Sequence, residues 1–157
     1  MPDGPRHDED FYAWTQYQAK VLREMRTADN RFDRDNVAEE IEDLGKSYRD
    51  AARSQVRRIL EHLLKLEYSP ASDPRIGWME SIAEARDALN DQLTGSLRAD
   101  VEAGLGELYR RARRRAELGL SRYDEGKAAD ALPPSCPYTL DDILRDDWYP
   151  EPAAAAT

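Results

Sequence analysis

Carboxylates and a histidine on one predicted helix are the side chains best suited to chemistry in this 157-residue sequence. Glu39 and Glu42 are three residues apart, and Glu39 and Asp43 are four apart, so each pair shares a helix face. Together with a histidine such as His62, carboxylates at this spacing could form a metal site in a helical bundle. They could equally form the charged side of a packed helix near its start, where the helix dipole favours acids. We favour this second interpretation.

Two features of the sequence argue against a metal site. The Glu-x-x-His pairs of di-metal bundles are missing, since Ile59 occupies the position three residues before His62 and His7 lies near the amino terminus. In addition, 20 residues separate Glu42 from His62, which is about 30 Å along a continuous helix. The two side chains could meet only if the chain reversed at Gly45. The sequence therefore predicts no metal and no cofactor.

Three further residues are interpreted as packing residues. His62 lies at the edge of an apolar stripe, where a histidine is expected to be hydrogen-bonded at the border of the core. Cys136, between Ser135 and Pro137, has no sequence context that indicates an activated thiolate, and we expect it to be buried. Trp14 could pack in the bundle or form part of a ligand cage, and we favour packing.

A basic cluster, "YRRARRR" at 109–115, contains five arginines in six residues. Arg111 and Arg114 could belong to a contact patch for an anion or RNA. Alternatively, these cations lie near a helix C-terminus and pair with acids of 35–43 or 141–147. We favour the second interpretation, because the chain has 23 basic and 32 acidic residues and a net charge of -9. This charge makes nucleic acid an unlikely partner.

Apolar residues recur at steps of three or four along most of the chain, which predicts helices. The predicted helices fall within 8–26, 37–66, 73–95 and 96–119, the second running through Gly45 without interruption. "TLDDILRD" predicts a short capped helix, and Trp148 beside it is expected to dock on the bundle. We therefore predict an all-α single domain over 8–150: a bundle of about four helices with a C-terminal wrap, and disordered tails at 1–7 and 152–157.

The same sequence indicates a cytoplasmic protein. A single cysteine cannot form an internal disulfide, and "MPDGPRHDED" offers no apolar stretch for a signal peptide. No apolar run approaches the roughly 20 residues that span a bilayer. We expect neither membrane insertion nor secretion.

Four separated blocks resemble a known bacterial family. "DFYAWTQYQAKVLR", "NVAEEIEDLGKSYR", "ILEHLLKLEY" and "CPYTLDDILRDDWYPE" occur in the order and spacing typical of the family known as domain of unknown function 29. The resemblance covers roughly residues 8 to 151. It implies a compact all-α cytoplasmic protein and brings no established activity.

The function itself stays open between different classes of protein. Our first hypothesis is a non-enzymatic interaction module that binds another protein, or a second copy of itself, through a helix face or its C-terminal wrap, where Trp148 is an anchor. The alternative is a small enzyme or ligand-binding bundle that uses Glu39, Glu42 or His62. A weaker alternative is nucleic-acid contact through the arginines of 110–115.

Overall fold

Helices are the regular secondary structure throughout the part of the chain that the computed structural model describes, residues 2–122 and 125–153. None of the described helices has the length and apolar character that crossing a bilayer requires. Seven helices lie in these ranges: α1 Phe11–Glu24, α2 Arg34–Tyr68, α3 Arg75–Asn90, α4 Gly95–Ala103, α5 Leu105–Arg122, α6 Gly126–Asp130 and α7 Leu140–Leu144.

The central element is α2, whose 35 residues extend over roughly 50 Å. Its C-terminal half lies at the centre of the core, and α3, α5 and α7 pack against α2. The fully buried residues of this half are Ala52, Val56, Ile59, Leu60, Leu63, Leu64 and Leu66. The prediction of one helix over 37–66 is therefore confirmed.

The N-terminal half of α2 lies against α1, and Gly45 is the point of close approach. A Cβ at Gly45 would lie 1.9 Å from Thr15 Oγ1 and 2.6 Å from Gln16 Nε2. Gln16 Nε2 also donates to the Glu42 carbonyl across the two helices. Only glycine leaves room for this contact, so Gly45 is a point of close packing within an unbroken helix.

The predicted single helix over 96–119 is wrong. The structure has two helices there, α4 and α5, which meet at Gly104, where the Gly104 amide still bonds Asp100 O. Glycine is a poor helix former, so a break costs less at this position than elsewhere. The third helix also ends earlier than predicted, at Asn90, and α5 extends past Gly119 to Arg122. A bundle of about four helices was thus too simple a description.

The C-terminal wrap, which is the segment that follows α6 and contains α7, docks on its own chain, as predicted. Thr139 Oγ1 accepts from the Asp142 amide and Asp142 Oδ2 accepts from the Thr139 amide, which confirms the capping box of α7. Arg86 of α3, only 4% exposed, donates to the carbonyl oxygens of Ile143 (2.8 Å), Trp148 (2.9 Å) and Asp142 (3.1 Å). An arginine inside the core thereby holds the backbone of the wrap.

The predicted disorder of both tails stays a prediction. The structure describes residues 2–7, where the ring of His7 packs edge-on against Phe11 and Trp14. Residues 154–157 lie outside the described residues.

Candidate functional site: two surfaces on the long helix

The structure does not assemble a carboxylate–histidine site. Glu42 forms ion pairs with Lys46 at 2.8 Å and with Arg23, and the pKa of Glu42 is lowered mainly by the hydrogen bond from Lys46 and then by that from Arg23. Glu39 is exposed near the start of α2, whereas His62 lies near its end. Because α2 is unbroken, these side chains stay far apart. Among residues 2–122 and 125–153, no three His, Cys, Asp or Glu side chains gather as a metal-binding cluster.

His62 is hydrogen-bonded at the border of the core, as predicted. Its Nδ1 lies 2.8 Å from the Arg58 carbonyl oxygen, so Nδ1 carries the proton and donates it. Burial lowers the pKa of His62, because the charged ring loses hydration, and the bond to Arg58 O opposes this only in part. The imidazole is therefore held neutral by its surroundings.

Trp14, Trp148 and Cys136 lie in packing positions. Trp14 stacks on Phe11 with ring centroids 5.9 Å apart, and Trp148 meets Tyr138 edge-on at 6.0 Å. Cys136 is half-buried, its Sγ lies 3.2 Å from Tyr138 O, and burial raises the pKa of its thiol. A protonated thiol in this position is a poor nucleophile.

A partly exposed apolar strip, here called the α2 strip, occupies the N-terminal half of α2. It consists of Val37, Ile41 and Leu44, which line a shallow groove of about 430 Å³. Leu44 is 54% exposed, and at the same end of the molecule Phe32 is 41% exposed. Contiguous exposed apolar surface of this kind is typical of interaction sites.

Acidic side chains lie on the same half of α2 as the α2 strip. Glu40 lines its groove, and Glu39 and Asp43 are exposed on the same half of α2. Within the described residues, none of these three carboxylates forms a salt bridge or a side-chain hydrogen bond. The groove of the strip therefore has one uncompensated carboxylate, Glu40, and two more lie on other faces of the same half of α2.

A second surface, here called the α2–α5 groove, lies between the C-terminal half of α2 and the start of α5. It combines two cavities of about 560 and 370 Å³, and Ser54 and Arg57 line both. The lining contains five arginines and three carboxylates: Arg53, Arg57, Arg58, Arg111 and Arg115, with Asp50, Glu61 and Glu107. The groove is thus positively charged on a molecule whose net charge is -9.

The arginines of the 110–115 cluster have different surroundings. Arg113 donates to the carbonyl oxygens of Leu132 (3.2 Å) and Pro133 (3.0 Å), and so it holds the chain that follows α6. Arg111 lines the α2–α5 groove. Arg114 is exposed and has no hydrogen bond or ion pair within the described residues.

The prediction that this cluster pairs with the acids of 35–43 or 141–147 is wrong. Glu107 pairs with Arg110 and Arg111, Glu117 pairs with Arg113, and Glu61 of α2 pairs with Arg115. These carboxylates lie one turn away on α5 or on the adjacent part of α2, whereas α2 carries residues 35–43 at its far end. Helix geometry thus favours the local partners.

Sequence reasoning missed three roles that the structure makes prominent: the contacts of Arg86 with the C-terminal carbonyl groups, the contact of Asp10 with α4, and the α2 arginines. Asp10 caps α1 through Ala13 N and also accepts from the amide and hydroxyl of Ser96 at the start of α4. A signal for Arg86 existed, because it occupies a position in the apolar stripe of α3. In "RSQVRR", at 53–58, Arg53 and Arg57 are four residues apart and Arg58 follows directly, which is a second signal.

Comparisons with known proteins identify the family. The sequence model described as "Domain of unknown function DUF29" matches residues 7–149. An alpha-helical protein of unknown function from Rhodospirillum rubrum, solved by crystallography, is similar in structure, with a TM-score of 0.81 and 26% sequence identity over 92% of each chain. No curated protein matches the chain. With nearly its whole length matched by the family model, the chain belongs to the DUF29 family.

Proposed function

We propose that this protein is a non-enzymatic helical interaction module that binds another protein through the α2 strip. The observation that carries the proposal is the exposure of Leu44, which lines one groove with the half-buried Val37 and Ile41 and with Glu40, a carboxylate that has no partner within the described residues. Apolar side chains at these positions could have faced the core. Instead they line an open groove, whereas the valine, isoleucine and leucine side chains in the other half of α2 are fully buried.

The partner that fits this surface is an amphipathic segment with an apolar face and basic flanks. Apolar contact supplies about 25 cal/mol for each Å² removed from water, so covering Leu44 and Ile41 favours association. Lysine or arginine on the partner would pair with Glu40 in the groove, and this pairing disfavours acidic competitors. Helix-in-groove docking of this type uses anchors at steps of three and four. Val37, Ile41 and Leu44 have that spacing.

A synthetic amphipathic peptide of leucine and lysine tests the proposal. We expect the labelled peptide to bind in a fluorescence anisotropy titration, and a matched peptide of leucine and glutamate not to bind. Leu44→Ser should weaken binding at least tenfold. Leu118→Ser is the matched control, since Leu118 is a 60% exposed leucine on α5, and it should leave binding unchanged.

Two results would overturn the proposal. One is the absence of saturable binding of the leucine–lysine peptide, or equal weakening by Leu44→Ser and Leu118→Ser, which would indicate general adhesion to an acidic protein. The other is self-association: sedimentation that shows a dimer, dissociated by Leu44→Ser, would assign the strip to a second copy of this chain.

A further inference from the structure

Several guanidinium groups of the α2–α5 groove lack a close anionic partner. Arg57 has its nearest polar contact at Ser54 Oγ, 3.5 Å away, and forms no ion pair with any described residue. Arg58 reaches Glu84 only at 3.5 Å, and Arg115 reaches Glu61 only at 3.7 Å. Contacts of this length are weak. The groove therefore holds hydrogen-bond donors that the protein does not use fully.

We propose that the α2–α5 groove binds a compact anion with more than one phosphate group. Guanidinium groups bind phosphate oxygens in pairs, with two parallel N–H donors. Arg57 of α2 and Arg111 of α5 line the larger cavity together, so a phosphate between the two helices can reach both. Arg58 and Arg115 line the smaller cavity and would bind a second phosphate. The volume of about 560 Å³ is ordinary for a small-molecule site.

The surroundings of the groove favour a compact anion over a nucleic acid strand. No Phe, Tyr or Trp side chain is among the described residues that line either cavity, and the ring of His62 in the smaller cavity is half-buried, so bases would have no broad stacking platform. A long polyanion would extend beyond the groove and meet a molecule of net charge -9. Repulsion beyond roughly 8 Å is screened at physiological ionic strength. A small phosphate ligand therefore responds chiefly to the local arginines.

The floor of the groove is suited to a polar ligand. Leu108, 8% exposed, is the one large apolar residue among the described residues that line the larger cavity, and Ser54 adds a hydroxyl donor to both. In the lining of the smaller cavity, Gln55 Oε1 is buried without a hydrogen-bond partner within the described residues. A phosphate that also carries hydroxyl groups would therefore suit this lining.

Calorimetric titration with inorganic tripolyphosphate at physiological salt tests the proposal, with citrate as a multivalent carboxylate for comparison. We expect saturable binding of tripolyphosphate, at least tenfold tighter than that of citrate. Arg57→Gln and Arg111→Gln should each weaken binding tenfold or more, whereas Arg57→Lys should retain part of it. Arg114→Gln is the matched control, because it removes the same charge from an exposed residue outside both cavities, and it should change binding less than twofold.

Three results would overturn the inference: no saturable binding to the wild-type protein, equal affinity for citrate, or equal weakening by Arg57→Gln and Arg114→Gln. Circular dichroism and thermal melting of each variant identify loss of fold. As an additional readout on the unaltered chain, tripolyphosphate should raise the melting temperature of the wild type, and a flat response contradicts the proposal. The inference does not depend on the proposed function: Leu44→Ser should leave tripolyphosphate binding unchanged, and Arg57→Gln should leave binding of the leucine–lysine peptide unchanged.

Discussion

Arg86 lies inside the apolar core, where a charged side chain is costly unless it is fully hydrogen-bonded. Its three bonds to carbonyl oxygens and its position 5.4 Å over the ring of Tyr149 supply that compensation. Burial lowers the pKa of Arg86, yet an arginine stays protonated in proteins. One side chain of α3 thereby satisfies carbonyl groups that the C-terminal wrap would otherwise bury without partners.

Replacement of Arg86 should destabilise the protein strongly. Arg86→Met keeps the length of the side chain but removes every donor, so the carbonyl oxygens of Ile143 and Trp148 lose their partner. We expect a loss of about 3 kcal/mol, within the usual cost of buried unsatisfied groups. Chemical denaturation measures this loss. Arg114→Met, an exposed control, should stay within about 0.5 kcal/mol of wild type, and an equally small effect at Arg86 would disprove the role assigned to it.

His62 should make stability depend on pH. Its pKa in the folded protein is lowered by burial, so the unfolded chain takes up the proton first as the pH falls. Between the unfolded value of about 6.5 and the lower folded value, the unfolded state binds more protons and stability decreases with acidification. Above this window the contribution is constant.

Unfolding curves from pH 8 to 5 check this expectation, in buffers without phosphate. Wild type should lose more stability toward pH 5 than His62→Gln, because the variant lacks the titrating ring. The acidic residues are common to both proteins, and their contribution cancels in the comparison. Parallel pH profiles would show that His62 is not the responsible group.

The pairing of α1 with α2 depends on one position without a side chain. Gly45 is buried against Thr15 and Gln16, and the two helices approach closely there. A glycine within a helix lowers its stability relative to alanine by about 1 kcal/mol. Packing between helices offsets this cost, which is why the stripe can run through Gly45 without a break.

Alanine at position 45 should therefore be harmful, although alanine is the better helix former. Its Cβ would overlap Thr15 Oγ1, and we expect a loss of about 1–3 kcal/mol, as for other overpacked cores. Gly106→Ala is the matched control, since a Cβ there meets nothing within 4 Å. It should stabilise the protein by up to about 1 kcal/mol. Denaturant midpoints of the two variants should move in opposite directions; a stabilising Gly45→Ala would falsify the close contact.

The whole molecule closes its core with the segment that follows α6. Tyr138, Leu140 and Ile143 are buried in the same cluster as α2 and α3, and Tyr138 Oη donates to Glu67 Oε2 at 2.6 Å. Burial is the main cause that raises the pKa of Tyr138, and the bond to Glu67 adds to it. The wrap is thus part of the core.

Truncation after Leu132 tests this conclusion. Each large apolar side chain removed from the core costs about 2–3 kcal/mol, so the melting temperature should fall by roughly 10 °C or more. The truncated protein should also bind a hydrophobic dye, because the faces of α2 and α3 lose their cover. If the truncated protein has the melting temperature of the full-length protein and does not bind the dye, the segment is instead a free recognition arm.

Local chemistry determined much of this protein from sequence alone. The stripe of steps of three and four identified α1, α2 and α3, because helix periodicity is a property of neighbouring residues. The pair of Thr139 and Asp142 fixed the start of α7 for the same reason, since a capping box spans four residues. The absence of Glu-x-x-His pairs can also be read from the sequence, because that motif spans only four residues. The four sequence blocks also predicted the family, which the match over residues 7–149 confirms.

Only the tertiary structure decided what depends on distant pairs. That Arg86 meets the carbonyl of Ile143, 57 residues later, cannot be read from spacing, because the choice between solvent and core depends on which helices pack together. The break at Gly104 was missed for a similar reason: both glycines lie within helical periodicity, and only the packing of α1 on Gly45 distinguishes one from the other. The groove lined by Arg57 and Arg111 exists only because α2 and α5 lie side by side. No single stretch of sequence could therefore predict that these two arginines line one cavity.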